Sequence, residues 1–215
     1  MFTGLIEAVG RLKSREARGG DWRIAVDTGN LAMQDVHLGD SIATQGICLT
    51  VVSFSGQAFC ADVSLETARH STLLDWHPGQ LLNLEKAMQP SSRFGGHMVS
   101  GHVDGVGNIV SVTPEARSWQ YRIRAPKELL RYIALKGSIA VDGISLTVNG
   151  LEADVFSLTL VPHTMSHTAL ELWRPGVRVN LEVDLVARYL ERLMERTHPD
   201  SGGISSDFLS RHGYL

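Results

Sequence analysis

The sequence predicts a mainly β protein built twice: two tandem homologous β-domains, each a small closed barrel or sandwich, followed by one C-terminal α-helix. Three observations carry that expectation: a gapless internal repeat, short strand-like runs divided by turn signals, and a change of pattern near residue 184.

Residues 1–97 lie over 98–194 at a constant offset of 97. Ser41-Ile42-Ala43, Gly46-Ile47 and Leu49-Thr50-Val51 match Ser138-Ile139-Ala140, Gly143-Ile144 and Leu146-Thr147-Val148. Trp76, Pro78-Gly79 and Asn83-Leu84-Glu85 match Trp173, Pro175-Gly176 and Asn180-Leu181-Glu182. A chance alignment does not hold one offset over such a length. The expected domains are 1–97, 98–184 and a helix with its tail, 185–215, with Gln89–Gly96 linking the first two.

Within a copy, Val51–Phe54, Phe59–Val63 and Leu81–Leu84 are β-branched or apolar runs bounded by Gly, Pro, Asn or Asp. Pro78-Gly79 and Pro175-Gly176 suit tight turns, because proline presets φ and glycine accepts a positive one. Strands at short spacing without helical crossovers favour a barrel or sandwich. Two short helices per copy are expected, around Asn30–Val36 and Leu65–Thr72 in the first. From Asp184 to Arg196 the pattern turns helical: Asp184 can cap, and Val186, Leu190 and Leu193 form a stripe, widened by Tyr189 and Met194. That stripe needs a cover, either its own chain or a second copy, and self-association is the favoured expectation. The tail Ser201–Leu215 carries no clear signal.

Composition narrows the function classes. The 215 residues are 43% hydrophobic and 20% charged, as in ordinary globular chains. A net charge of -3 and a pI near 6.3 argue against a nucleic-acid partner. No apolar run approaches the roughly 20 residues of a membrane span, and the opening MFTGLIEAVG has no export signal. Two cysteines, Cys48 and Cys60, are too few for a disulfide framework. The expectation is a cytoplasmic globular protein.

A duplicated frame can keep two ligand sites, so the unequal matched positions are informative. Leu5 lies opposite His102, Glu7 opposite Asp104, Cys48 opposite Ser145, Gln45 opposite Asp142, Gly39 opposite Lys136, and Glu66 opposite His163. Thr50 and Thr147 are unchanged. His97 and His102 match no zinc spacing, so a metal is disfavoured. An ordinary structural histidine is the bland reading, and a titratable group in a glycine-flanked loop the functional one. A cysteine such as Cys48 is more often a small buried hydrophobe than a nucleophile, but its place in the most repeated segment, opposite a serine, favours a side chain that faces a ligand.

Taken together, Met1-Phe2-Thr3-Gly4-Leu5-Ile6-Glu7, Gly46-Ile47-Cys48-Leu49-Thr50-Val51, Gly95-Gly96-His97-Met98-Val99-Ser100-Gly101-His102-Val103 and Asp142-Gly143-Ile144-Ser145-Leu146-Thr147-Val148 closely resemble the α-type riboflavin synthase family. The resemblance covers residues 1–190 and fades after about Arg196. It implies two tandem six-stranded Greek-key barrels, each binding one molecule of 6,7-dimethyl-8-ribityllumazine, and a cofactor-free dismutation. Two lumazines would exchange a four-carbon unit, giving riboflavin and 5-amino-6-(ribitylamino)uracil. Carried over, the N-barrel pocket would use Gly4, Leu5, Ile6, Cys48, Leu49, Thr50, Asp62, Val63, Ser64, Leu65, Glu66 and Thr67. The C-barrel pocket would use Gly101, His102, Val103, Lys136, Ser145, Leu146, Thr147, Thr159, Leu160, Val161, Pro162, His163 and Thr164. His102, Cys48, Ser145 and Thr147 would act in catalysis. The family also implies a homotrimer with its active site between barrels of neighbouring chains, and leaves association with lumazine synthase open. The rival readings are a non-catalytic lumazine- or flavin-binding protein of the same fold and a flavin-binding interaction module. Carriers of the first kind tend to lose the double-histidine loop that is intact here.

Overall fold

In the computed structural model, which describes residues 1–196 and 206–214, the repeat becomes two closed antiparallel barrels. The first contains β1 (Ala8–Arg18), β2 (Asp21–Asp27), β3 (Ser41–Thr44), β4 (Ile47–Ser55), β5 (Ala58–Val63) and β6 (Leu81–Lys86). They close in the order β1-β2-β5-β4-β3-β6. The second contains β7 (Gly105–Glu115), β8 (Ser118–Arg124), β9 (Ser138–Val141), β10 (Ile144–Glu152), β11 (Val155–Leu160) and β12 (Arg178–Val183), closing in the same cyclic order. Placing β5 beside β2 while β3 and β4 intervene in sequence makes each ring a six-stranded Greek key. Closure leaves no strand edge unpaired.

Even the irregularities repeat. The β1–β2 ladder shifts between Leu12 and Ser14, and the β7–β8 ladder shifts between Ile109 and Ser111. The barrel interiors hold the period-2 positions: Leu12, Ile24, Ile42, Leu49, Val51, Phe59 and Leu84 in one, and Ile109, Tyr121, Ile139, Leu146, Val148, Phe156 and Leu181 in the other. These are matched pairs at the offset of 97. Both proline-glycine turns form, with Gly79 at φ 88° and Gly176 at φ 89°.

The helices differ in detail from the expectation. Leu65–His70 is a helix, α1, followed by a 3-10 turn over Thr72–Asp75. Its partner in the second copy is α2, Pro162–His167. Asn30–Val36 is not helical; only the matched stretch Lys127–Tyr132 forms a 3-10 turn. Here the Lys86 ammonium ties the segment down, donating to the Ala32 carbonyl at 2.9 Å and to Asp35 at 2.6 Å.

The chain divides into two units, Met1–Leu185 and Val186–Leu215. The first holds both barrels. The second holds nearly all of the helix α3, Leu185–Arg196, which begins one residue beyond Asp184, and a short helix α4, Ser206–Arg211, which the sequence did not signal. Tail residues 197–205 and Leu215 lie outside the described residues. Among the described residues no helix is long and apolar enough to cross a membrane.

The barrels meet about an approximate twofold. Gln45-Gly46 and Asp142-Gly143, the two-residue turns of matched hairpins, have positive φ at all four positions, the type I′ geometry that suits strand twist. Their glycines touch: a Cβ on Gly46 would fall 2.7 Å from the Gly143 nitrogen. Around them, Asn83 Nδ2 donates to the Asp142 carbonyl and Asn180 Nδ2 donates to the Gln45 carbonyl. The repeated Asn-Leu-Glu motif therefore welds one barrel to the other.

Candidate functional site

Each barrel presents an outward face built from alternate strand residues. On β4, Leu49 and Val51 enter the core while Cys48 and Thr50 face out. The Val51–Ala61 pair brings Asp62 to the same face. Ser64 then caps α1, its hydroxyl accepting from the Thr67 amide at 3.2 Å. On the second barrel, Ser145 and Thr147 face out from β10, and Thr159 joins them from β11 across the Val148–Leu158 pair. Val161 begins α2 there without a side-chain cap, and Pro162 takes over the first turn. Leu49, Val63, Leu146 and Leu160 are core residues, so only their backbones can face a ligand.

The faces are chemically unequal. Asp62 makes a bidentate pair with Arg23, which holds its carboxyl below the usual carboxylate range. Glu66 pairs with His70 at 3.1 Å, whereas its counterpart His163 stacks on His167 with centroids 4.1 Å apart. Lys136 occupies a left-handed position, φ 64°, matched by Gly39 in the first copy. Its amide donates to the Val148 carbonyl, which anchors it beside β10.

The grouping of these residues differs from the sequence expectation. Gly4–Ile6 does not cover Cys48; it covers Ser145. The Ser145 amide donates to the Gly4 carbonyl at 2.8 Å, and Ile6 packs on the core of the second barrel. Conversely, the Cys48 amide donates to the Gly101 carbonyl at 2.8 Å, and Val103 packs on the core of the first. Fit is tight in both places: a Cβ on Gly4 would sit 2.6 Å from that of Ser145, and one on Gly101 2.6 Å from that of Cys48. Both glycines have φ near +80°, which other residues rarely adopt. The opening segments are thus exchanged between barrels. Fully buried Phe2 and Val99 pair backbone to backbone at the crossing point. Burying such a side chain stabilises by about 1.5–3 kcal/mol, so the pair is a substantial apolar anchor for the docking.

The exchange unites residues that the sequence had separated. Gly101–Val103, with exposed His102, lies on the barrel that carries Cys48–Thr50 and Asp62–Thr67. Gly4–Ile6 lies on the barrel that carries Lys136, Ser145–Thr147 and Thr159–Thr164. His97, placed in neither pocket from sequence, joins the second: its Nδ1 lies 2.7 Å from the Ser145 hydroxyl, while buried Nε2 has no hydrogen-bond partner among the described residues. Desolvation pushes its pKa below the ordinary histidine value. Its signal was the Gly95-Gly96 pair before it, since a Cβ on Gly96 would strike the Thr3 carbonyl.

Comparison with known proteins matches this duplication. The lumazine binding domain family matches twice, at residues 3–87 and 100–184. Riboflavin synthase of Photobacterium phosphoreum is 45% identical over 217 residues, spanning 100% of both chains. That of Bacillus subtilis (strain 168) is 39% identical over 216 residues, again spanning 100% of both. The chain belongs to the riboflavin synthase family. Riboflavin synthase of Mycobacterium tuberculosis (strain ATCC 25618 / H37Rv) is 48% identical over 199 residues, covering 90% of this chain and 98% of that one. As a member of the riboflavin synthase family the chain is an enzyme. Among solved structures, LumP complexed with riboflavin superposes with a TM-score of 0.78 at 24% identity, covering 85% of this chain and 99% of that one. LumP complexed with 6,7-dimethyl-8-(1'-D-ribityl) lumazine gives 0.77 at 22%, with the same coverage. At such identities the likeness establishes the doubled barrel alone.

One consequence of the exchange concerns the half-chain 1–97. It keeps the Cys48 face but loses Gly101–Val103, while its own Gly4–Ile6 loses Ser145. Two half-chains can satisfy each other, with Gly4 of one on Cys48 of the other. Residues 1–97 are expected to sediment as a dimer that binds lumazine, and removal of residues 1–6 to give a monomer with little affinity. A monomeric half that binds lumazine with undiminished affinity would contradict this.

Proposed function

We propose that the chain catalyses the dismutation of two 6,7-dimethyl-8-ribityllumazine molecules to riboflavin and 5-amino-6-(ribitylamino)uracil, a transferase reaction moving a four-carbon unit from one lumazine to the other. The observation that carries this reading is the pair of matched outward faces with unequal groups. The reaction consumes two copies of one compound in opposite roles, and a duplicated frame with different side chains can distinguish donor from acceptor. The face of Cys48, Thr50, Asp62, Thr67 and His102 would hold one molecule. The face of Ser145, Thr147, Thr159, Thr164, Lys136, Leu5 and His97 would hold the other. Juxtaposing the two rings replaces a bimolecular encounter and can lower the barrier by up to about 7–11 kcal/mol.

The side chains would then move protons. Loss of a proton from a substrate methyl group creates the carbon nucleophile, and the leaving pyrimidine must regain protons. Desolvation favours neutral His97, leaving the imidazole able to accept a proton, and the Ser145 hydroxyl beside it can relay one. His102 and Cys48 provide exchangeable groups on the opposite face.

The faces are open: Thr50, Asp62, His102, Thr147 and Thr159 are all exposed in a single chain. A bound ring would keep one side in water unless another barrel covered it. This supports a homotrimer in which the first barrel of one copy faces the second barrel of the next, with the Val186–Leu190–Leu193 stripe of α3 as the clamp. Ending the chain at Asp184 is expected to convert the trimer to monomers by sedimentation, with turnover lost and lumazine binding weakened. A truncated chain that remains trimeric would remove the helix from that role.

The decisive assay is direct. The purified chain is mixed with the lumazine, and riboflavin formation is followed by absorbance. A folded chain that binds lumazine without forming riboflavin would be a carrier instead.

A further inference from the structure

Two glutamates absent from the site expectation occupy matched places beneath the exchanged segments. Glu85 on β6 and Glu182 on β12 are 4% and 5% exposed. Glu85 Oε1 accepts from the Thr3 amide at 2.7 Å and the Thr3 hydroxyl at 2.7 Å, and its Oε2 accepts from the Gly4 amide at 2.9 Å. Glu182 repeats the pattern on the Ser100 amide, the Ser100 hydroxyl and the Gly101 amide, at 2.6, 2.7 and 2.9 Å. Such burial is costly for a carboxylate and is tolerated only with its acceptor sites filled.

We propose that Glu85 and Glu182 are positioning residues that act crosswise, each fixing the segment that covers the reactive face of the opposite barrel. Glu182 belongs to the second barrel, yet the segment it grips lays Gly101 on Cys48 and sets the backbone from which His102 projects. Glu85 belongs to the first, yet its segment lays Gly4 on Ser145. The apolar pair Phe2–Val99 docks the segments but leaves rotation about the glycines open. Three directed donors on one carboxylate remove that freedom. An amide cannot replace it, because the NH2 of a glutamine would confront a backbone N–H donor. The interlock also leaves each face incomplete until a segment gripped by another barrel, of the same chain or of a second copy, is laid on it.

This inference rests on the riboflavin synthase reading for its kinetic consequence but has a readout independent of turnover. The two cysteines report on the first barrel: Cys48 lies under Gly101, and Cys60 lies on β5 with no contact to the exchanged segment among its backbone partners. Full-length wild type, Glu182→Gln and Glu85→Gln are treated with iodoacetamide, and alkylation of each cysteine is timed by peptide mass spectrometry. Glu182→Gln is expected to speed Cys48 alkylation at least fivefold with Cys60 within twofold of wild type. Glu85→Gln is expected to leave both within twofold. Equal acceleration at both cysteines, acceleration by Glu85→Gln, or no acceleration of Cys48 by Glu182→Gln would overturn the crosswise assignment.

In the same samples, saturated turnover should fall at least tenfold in each variant, with a smaller change in KM. Should Glu182→Gln fail to fold, Ser100→Ala, which removes the hydroxyl donor to Glu182 and the acceptor of the His102 amide, is compared with Thr3→Val, which removes the matched pair at Glu85 and Leu5, by the same timing and the same criteria. A wild-type chain that makes no riboflavin would sink the enzymatic reading while the cysteine comparison still judged this one.

Discussion

His102→Gln is expected to lower turnover of substrate-saturated enzyme by about 10²–10⁴, the usual worth of one acid–base group, while lumazine affinity stays within a few-fold. Cys48→Ser should act in the same direction, since it makes the first face resemble the second, where Ser145 holds the matched position. Identical substrates with opposite roles need faces that differ. The exchange of segments adds a sharper expectation. His102 and Cys48 come from different halves of the sequence, but Gly101 rests on Cys48, so they share one face. Groups that act together are not additive, and the double variant should be little worse than His102→Gln alone. Thr50 or Thr147 substitutions should instead weaken binding. Rapid-mixing kinetics, with melting temperature on the same samples, decides the matter. Loss of stability and affinity together, with turnover per bound substrate unchanged, would mean that His102 only braces its loop and Cys48 only fills space.

The second large effect is on stability. Asp142 is buried at the seam, and desolvation raises its pKa from 3.8 to about 7. A raised folded-state pKa means that the protonated carboxyl is favoured in the fold. The associated stability is complete below pH 3.8 and is lost as pH rises through about 7. At about 1.36 kcal/mol per unit, the shift corresponds to roughly 4 kcal/mol across that window.

The first copy avoids this cost by a coupled change. Gln45 Oε1 accepts from the Asn83 amide, and Trp76 Nε1 donates to the Thr72 hydroxyl. In the second copy Ala169 replaces that threonine. Asp142 therefore serves both donors, with Oδ1 on the Asn180 amide and Oδ2 on Trp173 Nε1. Asp142→Gln alone removes the charge but orphans Trp173, a penalty of about 1–3 kcal/mol. Asp142→Gln with Ala169→Thr restores the arrangement of the first copy and should be the more stable chain at pH 8, with a flatter profile between pH 4 and 8. Denaturant unfolding across that range tests it; parallel profiles for wild type and the double variant would refute a titrating Asp142.

Much of the architecture was legible because it depends on local chemistry repeated at one offset. Period-2 apolar positions such as Ile42, Leu49 and Phe59 mark strands that bury one face. Pro78-Gly79 and Pro175-Gly176 mark turns whatever the surroundings. Family motifs pointed to the same residues. The Asn30–Val36 helix failed because a long-range partner, Lys86, competes for its backbone, and no local signal reports such a partner.

The segments were named from the sequence, but the fold lays the two opening segments on the barrels opposite to those expected. An offset pairs Gly4 with Gly101 and Cys48 with Ser145, but it says nothing about which Gly segment lies on which strand. Glu85 and Glu182 were visible as identical polar residues in the repeated Asn-Leu-Glu motif, yet read only as evidence of duplication.

By itself the sequence determined that one β-unit is written twice, where its strands and turns fall, which matched positions differ, and to which family the motifs point. Only the tertiary structure decided that the opening segments cross between barrels, joining His102 to Cys48 and His97 to Ser145. The physical reason is that strands and tight turns arise from contacts a few residues apart, whereas the crossing is selected by the joint burial of Phe2 and Val99 and by two carboxylates about eighty residues from the amides they bind.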